Sequence, residues 1–128
     1  MKCREFQFGD WCCNEYGLPM QMVDLGKDYA YATYEGDEGY PWLFSDSKDK
    51  QPHPIVLTSE ILEKNEWKRN KIFMDMKAAD YINFSWTDKY GGYLLQNGFY
   101  MCECKYAHTL QHALRLCGLD ELADNFKM

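Results

Sequence analysis

Apolar and polar positions alternate in short runs through the first half of the chain. Phe6 and Phe8 alternate ahead of Gly9-Asp10-Trp11, and Met20-Gln21-Met22-Val23-Asp24-Leu25 forms a second run closed by Gly26-Lys27-Asp28. Tyr29 to Tyr34 is aromatic and small by turns. After the turn Glu35-Gly36-Asp37-Glu38-Gly39, Tyr40-Pro41-Trp42-Leu43-Phe44 resumes an extended pattern. A period of two sends successive side chains to opposite faces of a sheet, and glycine-rich stretches between such runs are turns. Roughly four or five short strands in about fifty residues predict a small, strongly bent SH3-like barrel.

Ser45 to Pro52 is polar and ends in proline, so it reads as an exposed loop and as a boundary between two lobes, 1–50 and 51–128, of a single domain. Thr58 or Ser59 caps a helix of about two turns whose face of Ile61 and Leu62, with Trp67 beyond it, is expected to pack on the sheet. Ile72, Met74 and Met76 alternate, as do Ile82, Phe84 and Trp86, which predicts two half-buried strands. Asp88-Lys89-Tyr90-Gly91-Gly92 reads as a turn. Asn97-Gly98 is a hairpin signal that pairs Tyr93–Gln96 with Phe99–Cys104. The clearest element is a closing helix from Ala107 to Cys117. Its apolar face is Tyr106, Leu110, Ala113, Leu114 and Cys117, its polar face is His108, Gln111, His112 and Arg115, and Gly118 stops it. The fold class is therefore α+β: an N-terminal SH3-like small barrel, a short helix, antiparallel hairpins and a closing C-terminal helix.

At 128 residues, with 46% apolar and 16% aromatic positions, the chain has the material for a real core. The opening Met1-Lys2-Cys3-Arg4-Glu5-Phe6 lacks a signal-peptide pattern and no stretch is long enough to span a bilayer, so a cytoplasmic protein with no membrane partner is expected. In that compartment the six cysteines are reduced thiols serving mostly as small core hydrophobes. A formal charge of −6 repels nucleic-acid backbones at long range.

Candidate chemistry is sparse. Cys102-Glu103-Cys104 followed by His108 and His112 offers four zinc ligands in order, but the strand period turns the thiols inward while the helix period turns the imidazoles outward. Two core thiols and two surface imidazoles are the plainer reading, so no metal or other cofactor is expected. Thr109 stands where a His-Glu-x-x-His protease needs its glutamate. Thiol catalysis by Cys104 with His108, or by the vicinal Cys12-Cys13, has no diagnostic spacing. The acidic turn Glu35, Asp37 and Glu38 lacks calcium-loop spacing. Lys64, Lys68, Arg69 and Lys71 around Trp67 form a local basic patch of the kind that contacts RNA or DNA, set against the plainer reading of a solvated helix end. Tyr29 and Tyr31 lie in an aromatic run suited to recognition, of which half is expected to be core.

Gly9-Asp10-Trp11, the segment Pro54-Ile55-Val56-Leu57-Thr58-Ser59-Glu60-Ile61-Leu62-Glu63-Lys64-Asn65, and Tyr106-Ala107-His108-Thr109-Leu110-Gln111-His112 with Gly118 and Glu121-Leu122 beyond it resemble short Bacteroidetes proteins of unknown function. These are encoded beside prophage and mobile-element genes. Their pattern has an aliphatic residue in place of Ala107 and does not feature the Cys102 and Cys104 pair, which weighs further against zinc. The resemblance implies a fold and a context and no reaction. The expectation is a non-catalytic accessory protein acting by protein–protein recognition through the tyrosine-rich sheet, with Tyr29 and Tyr31, and the acidic turns, while His108, Gln111, His112 and Arg115 form a solvent-facing or partner-facing helix surface. The alternatives are nucleic-acid binding through Lys64, Trp67, Lys68, Arg69 and Lys71, or a zinc or thiol enzyme.

Overall fold

Met20, Met22 and Leu25 cannot all face one side of a regular strand, because the last two are an odd number of residues apart. The computed structural model, which describes residues 1–34, 41–65, 73–74, 81–87, 91–96 and 99–128, resolves this with a bulge between Met22 and Asp24 in β2 (Pro19–Leu25). The extra residue lets Met20, Met22 and Leu25 all pack inward. With β1 (Trp11–Cys13), β3 (Tyr29–Thr33) and β4 (Trp42–Ser45), β2 makes a curled antiparallel sheet in the order β1-β2-β3-β4, a half-barrel.

The chain divides into two units, Met1–Ile55 and Val56–Met128. In the first, Cys12, Met20, Met22, Ala30, Ala32 and Phe44 from the sheet meet Cys3 and Phe6 in one buried cluster. Each large member stabilises the unit by about 1.5–3 kcal/mol. The core positions of β3 are its alanines, which stand opposite Phe44 and Trp42 and leave them room. Both tyrosines of β3 therefore point outward, against the expectation that half of them are core.

The strand expected at Phe6–Phe8 is instead a 3-10 turn over Cys3–Glu5 followed by a tight turn at Gly9, whose φ is +87°. Asp10 is wholly buried, and its carboxylate accepts the Gln7 amide at 2.7 Å. That bond favours the turn over extended chain, so Phe6 is buried and Phe8 exposed. Farther on, the Ser47–Lys50 turn ties back to β4 through Ser45 N–H to Lys50 O at 3.0 Å, and His53 pairs with Cys13 through two 2.9 Å backbone bonds.

In the second unit, Thr58 Oγ1 accepts the Ile61 amide and starts α1 (Ser59–Lys64). The strands β5 (Phe73–Met74), β6 (Tyr81–Thr87), β7 (Gly91–Gln96) and β8 (Phe99–Cys104) follow in an antiparallel sheet of that order. Gly91 and Gly92, read from the sequence as turn, belong to β7 opposite Thr87 and Trp86. Gly92 lies under the Phe84 ring, where a Cβ would overlap it. β8 carries a bulge at Met101, since Leu94 faces Cys102 while Leu95 faces Tyr100.

The helix α2 (Ala107–Leu116) ends in a Schellman motif: Leu119 N–H reaches Leu114 O at 2.9 Å, Gly118 N–H reaches Arg115 O at 3.0 Å, and Gly118 has φ +78°. A further short helix, α3 (Asp120–Asp124), absent from the sequence-based expectation, packs on α2. Leu57, Leu62, Phe84, Leu94, Cys104, Leu110, Leu114, Ala123 and Phe126 are buried in this unit. Among the described residues, no helix is long and apolar enough to cross a membrane.

Candidate recognition surface

Period-two alternation in β3 sends Ala30 and Ala32 inward and Tyr29 and Tyr31 outward onto one face. Their rings meet edge to face, with centroids 5.9 Å apart at 73°. The Tyr29 ring also lies across Gly26, where any Cβ would overlap it, so the turn backbone is its support. Opposite Tyr31 stand Leu43 on one side, exposed, and Asp24 on the other, also exposed. The outer face of the sheet is thus aromatic and apolar with an acidic flank.

At one end of the same sheet the β1–β2 loop is organised by a buried asparagine. Asn14 Oδ1 accepts the amides of Tyr16 at 2.9 Å and Leu18 at 3.0 Å, its backbone N–H reaches Leu18 O at 3.2 Å, and Gly17 closes the turn with φ +78°. This loop holds Tyr16 out in solvent, 78% exposed, with its ring perpendicular to that of Trp42 at 87° and 6.3 Å. Beside Trp42 a cleft of about 360 Å³ is lined by Glu15, Pro41, Leu43, Phe44, Asp49, Lys50 and Gln51 as well. The sequence-based reading missed this corner. Its one signal was Asn14-Glu15-Tyr16-Gly17, a turn that exposes a large aromatic residue.

The helix face expected to meet solvent is largely covered. His108 is 3% exposed and Gln111 0%, and α3 lies against the part of that side that carries Gln111 and Arg115. Gln111 Nε2 donates to Ala123 O at 2.9 Å, and Arg115 reaches the Asp124 carboxylate at 3.4 Å. His108 stacks on Tyr106 at 5.8 Å and 13° and meets the half-buried His112 edge-on at 5.6 Å. These residues join α2 to its surroundings and do not form an open surface. The amphipathic pattern marked Gln111 and Arg115 as solvated because the segment that meets them, α3, lies beyond the helix's own stop signal.

Cys102 and Cys104 share a face, their sulfurs 3.8 Å apart, as the strand period requires. The imidazole of His108 meets both Tyr106 and His112. Among the described residues, no three or more His, Cys, Asp or Glu side chains form a group able to hold a metal ion. Burial, and then the neighbouring Cys102 sulfur, push the Cys104 thiol far up. Cys12 is likewise driven far up by burial and by Cys13 beside it. Cys13 stands across from His53, an arrangement not foreseen from sequence, but burial raises its thiol too and its Sγ lies 4.0 Å from Pro54 O. A thiol nucleophile needs the opposite shift.

Of the basic patch, Lys64 is exposed at the end of α1. Trp67, Lys68, Arg69 and Lys71 lie outside the described residues, as do Glu35, Asp37 and Glu38. No protein-family model matches the chain, and no curated protein or solved structure is significantly similar to it.

Proposed function

We propose that the protein is a non-catalytic binding module that recognises a protein partner through the outer face of its first unit. The observation that carries this reading is the outward pair Tyr29 and Tyr31, braced by Gly26 and flanked by exposed Leu43 and Asp24. Tyrosine gives large contact area with few rotatable bonds to freeze, and it is enriched where proteins meet. A chain of net charge −6 adds long-range attraction for a basic partner. We read the curled sheet as part of an SH3-like barrel acting in the cytoplasm. The resemblance to Bacteroidetes mobile-element proteins supports an accessory role there.

The test compares cross-linked capture by the wild-type chain and by Tyr29→Ala/Tyr31→Ala. A specific partner should be retained by the first and bound more than tenfold more weakly by the second, since an interfacial tyrosine anchor contributes about 1–2 kcal/mol. Equal retention by both chains would sink the assignment to this face.

A further inference from the structure

We propose that the corner between Tyr16 and Trp42 receives a cationic side chain, arginine or lysine, from the protein partner. This rests on the reading of the first unit as a recognition module and names the chemistry of one contact.

A tyrosine 78% exposed has no packing reason to be fixed, yet the buried Asn14 side chain spends its acceptor on the amides of Tyr16 and Leu18. The loop is preorganised, so ordering it costs no entropy at the moment of binding. Two rings at 87° with centroids 6.3 Å apart form two walls of a corner. A cation seated there lies within the roughly 6 Å over which the negative face of an aromatic ring attracts it.

The cleft beside Trp42 adds two carboxylates, Glu15 and Asp49, against one ammonium, Lys50, so its lining is net negative. Exposed Pro41 and Leu43 supply apolar surface for the methylene stem that lysine and arginine carry behind their charge. A nucleobase would also stack on the rings, but its phosphates would meet the same carboxylates, which disfavours it.

The full chain is titrated with blocked Gly-Arg-Gly and Gly-Lys-Gly, with the uncharged Gly-citrulline-Gly as the isosteric control, while the Trp42 indole N–H and the amides of Glu15 to Gly17 are followed by NMR. Saturable shifts are expected for the cationic peptides and not for citrulline. Three variants then give signs that a structural role does not. Glu15→Gln should weaken binding about two- to fivefold, Lys50→Gln should tighten it by a similar factor because a competing cation is gone, and Tyr16→Ala should abolish it. Glu15, Tyr16 and Lys50 are all exposed, so none of these changes disturbs the core.

Equal shifts from citrulline, no tightening in Lys50→Gln, or the same indole shift from oligouridylate each overturn the proposal. Partner capture that survives Tyr16→Ala but fails in Tyr29→Ala/Tyr31→Ala overturns the cation corner alone and leaves the recognition reading standing. Capture unaffected by either variant overturns both.

Discussion

The side-chain amide of Asn65 pairs with the backbone of Lys127 in both directions: Nδ2 donates to Lys127 O at 2.8 Å, and Oδ1 accepts Lys127 N–H at 2.7 Å. The same Nδ2 donates to Ile61 O at 2.9 Å, so one residue caps α1 and holds the C-terminal tail across 62 positions of sequence. Asn65→Ala should cost the second unit about 1–2 kcal/mol, the usual range for losing a small set of neutral hydrogen bonds. Asn65→Asp keeps the acceptor for the Lys127 amide and loses both donors, so it should fall between. Urea unfolding of the three chains checks the order.

Gly92 and Gly91 are neighbours that need to be glycine for different reasons. At Gly92 a Cβ would overlap the buried Phe84 ring, so Gly92→Ala forces the core to move and should cost about 1–3 kcal/mol. At Gly91 there is open space around a Cβ but φ is +78°, so Gly91→Ala should cost only the left-handed backbone strain, about 1–2 kcal/mol. Phe84→Leu placed beside Gly92→Ala should recover part of the loss, and placed beside Gly91→Ala it should recover none. Thermal melts of the four chains separate overlap from strain.

Thiol reactivity should divide the cysteines. Burial, and then a hydrogen bond with Asp46, push Cys3 from its ordinary 9.0 up to about 11, while Cys12 and Cys104 are driven further. Only the thiolate reacts, so at equal pH Cys3 holds about a hundredfold less of it than an ordinary thiol. Brief alkylation of the native chain near pH 8 should spare Cys3, Cys12 and Cys104, and denaturant should release all three to reaction, as read by mass spectrometry. Because the folded value of Cys3 is raised, its contribution to stability is complete below pH 9.0 and is lost as pH climbs toward about 11.

Asp46 has the opposite sign. The Cys3 amide donates to its Oδ1 at 2.9 Å and holds the carboxyl below its ordinary 3.8. A lowered folded value gives stability that is present above pH 3.8 and lost as pH falls through the folded value. Asp46→Asn removes that acid-side dependence. The gap in melting temperature between wild type and variant should therefore narrow on acidification, and a constant gap down to about pH 2 would count against the bond.

What the sequence made legible follows the range of the forces involved. Thr58 as a cap, Gly118 as a stop and the alternation of Ala30 and Ala32 with Tyr29 and Tyr31 act within a few residues, and each has its expected structural counterpart. Phe6 and Phe8 misled because the buried Asp10 carboxylate stabilises a turn that outweighs their alternation. Gly91 and Gly92 read as turn because the Phe84 ring that requires a bare backbone at Gly92 reaches it from another strand. In the candidate surface, Tyr29 and Tyr31 were visible as a pattern. The corner joins Tyr16 of the β1–β2 loop to Trp42 of β4, and no periodicity marks such a meeting.

The packing of α3 on α2 also links α2 to α1. Gln111 bonds the carbonyl of Ala123 and Asn65 that of Lys127, so two polar side chains, one in α2 and one at the end of α1, are both matched to the segment around α3. Opening of that segment would uncover both amides together, and amide exchange along Ala107–Leu116 and Ser59–Lys64 should then report one shared opening event.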